Sequence, residues 1–180
     1  MNTIYSAPPF PAEIDRGYFG AWLSGFIAGE GCFAASLRQK AGRNPTPQCR
    51  FSVSQRDDDY RTIELIHSFF QVGSIDSYRV NKVTANRNPQ VRYHVDDLES
   101  MVAIIIPNFN KYPLIAKKHY DFVIWSKLVL LCSSINQRRR PKGGKGLSKW
   151  TNNDLDHAKY LSDALRNIRT YHTNGPTEDS

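Results

Sequence analysis

The sequence predicts an α+β fold in which helices and a four-stranded antiparallel sheet follow one another in the order αββαββα, with further helices at the C-terminal end. Three observations carry that prediction. Four strand-like runs come in two pairs, each pair follows a segment with helical spacing, and the paired runs are joined by short links rich in Gly, Asn and Pro rather than by a helix. At 180 residues the chain is long enough for one substantial core. A single domain is therefore expected over residues 15–170, between an extended arm over 1–14 and a flexible tail over 171–180.

Pro8, Pro9 and Pro11 keep the first dozen residues extended, after which Asp15 caps a helix running through Trp22 to about Glu30, ended by Gly31. Cys32 to Lys40 then alternates, with Phe33, Ala35 and Leu37 on one face and Ala34, Ser36, Arg38 and Lys40 on the other. A loop with Gly42, Pro45 and Pro47 leads to a second strand, where Cys49, Phe51 and Val53 oppose Gln48, Arg50, Ser52 and Ser54. Asp57, Asp58 and Asp59 open a helix whose stripe is Ile63, Ile66, Phe69 and Phe70, closed by Val72-Gly73. Two strands follow, Ser74 to Lys82, whose buried face the pattern leaves open, and Gln90 to Val95, where Val91, Tyr93 and Val95 oppose Arg92 and His94. Asp96 and Asp97 begin a short helix to about Ile106, with Pro107 and Pro113 bracketing a turn. A long apolar helix is expected from Ile115 to Ile135 and a polar amphipathic one from Asn152 to Ile168, separated by a basic loop over 137–149.

The formal net charge of +7 favours a polyanionic partner. Its distribution says more than its size. Arg38, Lys40, Arg43, Arg50 and Arg56 fall in the first strand pair, Arg79, Lys82, Arg87 and Arg92 in the second, and Arg138, Arg139, Arg140, Lys142, Lys145 and Lys149 in the loop, while acids gather in helical segments. A basic sheet surface with a basic accessory loop explains this, and so does a set of solvated faces. Three cysteines without a C-x-x-C pair suggest neither a disulfide framework nor a zinc ribbon, and a reducing compartment is expected. The longest apolar runs, Met101 to Pro107 and Leu128 to Cys132, are too short for a membrane span, and Met1 to Pro11 has neither a secretory nor a transit-peptide pattern.

The segment around Glu30 joins three features. Ala21, Ser24, Gly25, Ala28 and Gly29 recur at helical spacing, so one face can admit another backbone closely. Glycine inside a helix costs about 1 kcal/mol relative to Ala, and Gly25 and Gly29 therefore imply a packing reason. Glu30 stands at the negative end of the helix, where a carboxylate wants a cation, and Gly31 turns the chain directly into a basic strand. If the small-residue face packs on its own copy, two Glu30 carboxylates converge and need divalent metal and DNA between them. A buried small-residue helix with an incidental terminal acid accounts for the glycines alone.

Leu23-Ser24-Gly25-Phe26-Ile27-Ala28-Gly29-Glu30-Gly31 resembles the signature of LAGLIDADG homing endonucleases, and the αββαββα order is similar to that family's saddle-like sheet fold across most of the chain. The resemblance implies site-specific double-strand cleavage of a long pseudo-palindromic DNA. It places the metal on Glu30 with help from the Gly31 carbonyl, and it implies a homodimer because the motif occurs once. Ala28 stands where the family commonly has Asp, which touches capping or packing rather than cleavage. By the same resemblance Gln55 orders water near the scissile phosphate, and either Lys117 or Lys118 is the active-site lysine. Simpler roles remain open for these, a helix cap for Gln55 and surface charge for the lysines.

Hard oxygen ligands suit Mg²⁺, with Mn²⁺ or Ca²⁺ able to take the same place, and the histidines have no metal-ligand spacing. A strand of about eight residues reaches ~26 Å, matching roughly eight base pairs of major groove. Its readers are expected to be Ser36, Arg38, Lys40, Gln48, Arg50, Ser52, Arg92 and His94, because alternation sets them opposite the core residues. Arg138, Arg139, Arg140 and Lys142 are expected to grip phosphate, unless the loop is an ordinary solvated linker. An intron maturase that binds RNA and a non-cleaving DNA-binding regulator are the competing readings. Family habit implies synthesis in an organelle.

Overall fold

A computed structural model of the chain describes residues 7–38, 46–78, 89–138 and 150–169. Asp15 accepts a hydrogen bond from the Tyr18 amide and starts α1 (Arg16–Glu30), which passes without a loop into β1 (Gly31–Arg38). β2 (Thr46–Arg56) returns beside it, and a 3-10 turn over Asp57–Asp59 leads into α2 (Tyr60–Phe70). β3 (Ser74–Tyr78) and β4 (Gln90–Val95) form the second pair. Then come α3 (Leu98–Ser100), a π turn over Met101–Ile105, α4 (Ile106–Lys111), α5 (Lys117–Gln137) and α6 (Asn152–Arg169).

The sheet is antiparallel in the order β1-β2-β4-β3. The register sets Phe33 opposite Phe51 and Phe51 opposite Val95, so the apolar alternation of the strands becomes one buried face. Ile63, Ile66 and Phe70 from α2, Phe109 from α4, and Phe122, Trp125 and Val129 from α5 close over it. The polar ends of its large aromatics are satisfied: Tyr93 donates to the Val72 carbonyl at 2.8 Å and the Trp125 indole to the Ala34 carbonyl at 3.2 Å. The opposite face of the sheet carries polar side chains, with Ser36 and Gln48 exposed and Arg50, Ser54, Arg92 and His94 half-buried.

Three local expectations change, and one segment gains contacts. The closing residue of α2 is Gln71, in the left-handed conformation at φ 59°, and Gly73 follows at φ 85°. Pro107 lies inside a helix rather than at a turn. The preceding π turn bonds the Ile106 amide to Met101, and that wider coil leaves room for a ring that an α turn would press on the carbonyl four residues back. The long helix begins at Lys117, not Ile115, whose side chain is 79 % exposed. The described part of the N-terminal arm, residues 7–14, is held to the body: Phe10 packs edge-on against Phe19 and Phe69, and the Pro8 carbonyl accepts from Gln71.

Candidate active site and nucleic-acid face

Where the chain leaves α1 in an extended conformation at Gly31, a side chain has no room. A Cβ on Gly31 would stand 2.4 Å from Ile27 Cγ2 and 2.7 Å from the Ile27 carbonyl, the same carbonyl that accepts the Gly31 amide. Glu30 is therefore presented at the junction of helix and strand, exposed, with no ion-pair or hydrogen-bond partner among the described residues. The carbonyl of Gly31 accepts from Lys118 Nζ at 2.8 Å. Of the two lysines, Lys118 is thus joined to the Glu30-Gly31 corner, whereas Lys117 is exposed beside it. Ala116, which leads into α5, sits at φ 58°, ψ −145°, a region few side chains tolerate, so the backbone that delivers Lys118 is strained.

A cleft of about 480 Å³ opens beside this corner, walled by Ala28, Cys32, Ile115, Lys118, Asp121 and Arg169 among others. Arg169 at the end of α6 donates to the buried Asp121 carboxylate at 3.1 Å and to the Phe33 carbonyl at 2.6 Å. The last helix is thereby tied to β1 and α5 next to the lysine. Neither Asp121 nor Arg169 was foreseen, although a lone acid three residues after Lys118 in an otherwise apolar helix was a visible signal. Gln55 is half-buried and pairs with Val91, on the core side of the sheet by alternation, while Ser54 pairs with Arg92 on the polar side. No described contact joins Gln55 to Glu30 or Lys118.

On the polar face Ser36 and Gln48 are exposed across from one another, and with Ala34, Arg50 and Asp96 they line a depression of about 560 Å³. Ser52 departs from the expectation of a free reader: it is 8 % exposed, enclosed between its cross-strand neighbours Cys32 and His94. Arg50, Arg92 and His94 stand on this face beside two acids, Asp76 and Asp96, of which Asp96 is hydrogen-bonded to Arg50. Arg50 meets Asp96 through Nε and Nη2 at 2.5 and 2.7 Å, and His94 has Nε2 3.0 Å from Asp76 and Nδ1 3.0 Å from Asp96. Arg92 lies 3.7 Å from Asp76. Arg38 closes β1 opposite Thr46, and Lys40, Arg139, Arg140 and Lys142 fall outside the described residues.

Arg138 forms a two-pronged pair with the buried Asp154 in the first turn of α6, at 2.6 and 3.1 Å, while its own side chain stays 45 % exposed. The Arg138 guanidinium, helped by the Thr151 amide and hydroxyl, holds the Asp154 carboxyl at about 2.

Along α1, Ala21, Gly25 and Gly29 are exposed in a stripe with Tyr18 and Trp22, and no atom lies within 4 Å of where a Cβ would stand on Gly25 or Gly29. Ala28 is half-buried at the cleft. Ser24 departs from the stripe, because its hydroxyl is turned inward and donates to the Tyr112 carbonyl at 2.6 Å.

The family model of LAGLIDADG endonucleases matches residues 23–129, from the first residue of the α1 motif into α5. The chain belongs to the LAGLIDADG endonuclease family. Among its curated relatives, probable intron-encoded endonuclease 3 of Neurospora crassa is 34 % identical over 110 residues, covering 59 % of this chain and 19 % of that protein. Intron-encoded DNA endonuclease aI3 of Saccharomyces cerevisiae is 25 % identical over 163 residues, 79 % of this chain and 38 % of that one. The I-SmaMI LAGLIDADG homing endonuclease bound to cleaved DNA shares the fold with a TM-score of 0.67 at 22 % identity, over 91 % of this chain and 48 % of that chain. I-GzeII in complex with its DNA target gives 0.65 at 23 %, over 83 % and 44 %. This LAGLIDADG chain thus spans less than half the length of each of these relatives. No helix among its described residues is long and apolar enough to cross a membrane.

Proposed function

We propose that this chain is one half of a site-specific DNA endonuclease, pairing with a second copy through the exposed stripe of α1 and cleaving both strands of a long pseudo-palindromic duplex. The observation that carries the reading is the corner where Glu30, Gly31 and Lys118 meet at the margin of the polar sheet face. A carboxylate at the negative end of a helix without a basic residue in the last turn is an unsatisfied anion. The Glu30 carboxylate and the Gly31 carbonyl are hard oxygen donors and fit a divalent ion such as Mg²⁺. Among the described residues no three His, Cys, Asp or Glu side chains gather to hold an ion, so further ligands would come from water, phosphate or the second copy.

When bound, the ion supplies an activated water and charge neutralisation at the scissile phosphate. The chain's own residues do the rest. Lys118, fixed by the Gly31 carbonyl, offers a positioned cation to charge developing on a phosphate oxygen. The strained turn at Ala116 and the tie from Arg169 hold α5 and β1 in the relation that this requires. The strands run down the major groove and Ser36, Gln48, Arg50, Arg92 and His94 face the bases. Gln55 is retained as the water-ordering residue on resemblance alone. Relatives named as intron-encoded support synthesis in an organelle.

The test is cleavage of a plasmid carrying the uninterrupted allele of the host gene, in Mg²⁺ and in Ca²⁺, with the intron RNA as a parallel ligand. Cutting in Mg²⁺ that Glu30→Gln abolishes is the expected result. Tight DNA binding without cutting, selective RNA binding, or normal cutting by Glu30→Gln would each overturn the reading.

A further inference from the structure

The polar face of the sheet is not simply basic. Its centre is a chain of close contacts, Arg50–Asp96–His94–Asp76–Arg92, spanning β2, β4, β3 and the start of the α3 segment. His94 lies between the two acids: its side chain is only 14 % exposed and each ring nitrogen lies 3.0 Å from a different carboxylate, without hydrogen-bond geometry to either. The acids are half-exposed, at 49 % for Asp76 and 45 % for Asp96, so they belong to the same surface as the arginines they touch. Carboxylates on a face meant for a polyanion reduce its attraction to phosphate, and their presence there asks for a compensating purpose.

The geometry of the Arg50 pair supplies one. A guanidinium has five N–H donors, and Asp96 engages Nε and one hydrogen of Nη2, which leaves the Nη1/Nη2 end directed away from the carboxylate. That end is the edge that grips O6 and N7 of guanine. An unpaired Arg side chain on a strand has many rotamers, and pinning one edge removes that freedom before the duplex arrives.

We propose that Asp96 and Asp76 are specificity-determining positioning residues, which orient Arg50 and Arg92 through the His94-centred chain so that the arginines discriminate guanine in double-stranded DNA. The inference rests on the DNA-binding reading above. It carries an unusual sign. Replacing either acid by its amide adds a unit of positive charge, so attraction to any duplex rises while discrimination falls, whereas a merely structural role would weaken both.

The experiment is selection of bound duplexes from a random-sequence pool by the wild-type protein, Asp96→Asn and Asp76→Asn in Ca²⁺, with binding to a fixed non-selected duplex titrated against salt. Thermal melting confirms that each variant is folded. Expected for Asp96→Asn is a preference for guanine at one position per half-site reduced about tenfold, with equal or tighter binding to the non-selected duplex and a steeper salt dependence. Asp76→Asn is expected to do the same at a different position. An unchanged selected sequence in both folded variants, or a uniform loss of binding to every duplex, overturns the assignment while leaving the endonuclease reading intact. A wild-type protein that selects no sequence overturns both.

Discussion

Replacing Gly25 by Ala separates what α1 does within the chain from what it does for a partner. Gly25 is in the helix interior, exposed, with nothing within 4 Å of the new methyl. The isolated chain should therefore gain the helix propensity difference, about 1 kcal/mol, and melt roughly 2–4 °C higher for a protein of this size. In a symmetric pair packed on the same stripe, the methyl occupies space that a neighbouring backbone needs, at a cost of typically ~1–3 kcal/mol. Every 1.4 kcal/mol weakens association about tenfold. Gly25→Ala should thus be the more stable monomer and the poorer dimer and nuclease, and Gly29→Ala should repeat the pattern. Thermal melting at dilute concentration, sedimentation equilibrium and plasmid cleavage read the three quantities. Higher stability with unchanged association and cleavage would refute the stripe as an interface, and lower monomer stability would refute the open space at Gly25.

Lys118→Met should slow single-turnover cleavage by roughly a hundredfold, while Lys117→Met stays close to the wild-type rate; the reverse ranking would show that the bond to the Gly31 carbonyl does not mark the active lysine. Asp154 has its carboxyl held at about 2, below the usual 3.8, so its stabilisation is present above pH ~4 and is lost as pH falls towards 2. Asp154→Asn should cost about 2 kcal/mol at neutral pH, and its urea midpoint should converge on that of the wild type in acid.

The element order was legible because its signals are local. Asp15 and Gly31 mark the ends of α1 by capping and by steric room, and the alternation of Cys49, Phe51 and Val53 against Gln48 and Arg50 fixes the faces of β2. Glu30 was legible for the same reason, since its exposure follows from where the helix ends. What the pattern hid depends on pairing across the chain. That Lys118 rather than Lys117 reaches Gly31 is a matter of one residue of helical phase, set by the strained turn at Ala116 that no propensity foretells. Asp96 read as a helix opener, which is sound for Asp97, the residue that caps α3, but Asp96 itself is turned to Arg50 on the sheet. Likewise the pairing of Arg138, one of a basic run, with the buried Asp154 sixteen positions on is a contact that no local pattern announces.

That last pair has a bearing on how such proteins diverge. Arg138 and Asp154 clasp the end of α5 to the start of α6, so the flanks of the basic stretch over 139–149 are already brought together by the fold. Closing a segment between fixed ends costs only about 0.6 kcal/mol for each doubling of its length. Changes in the length of the sequence between them therefore cost the fold little. The helix that carries Glu30 is left alone.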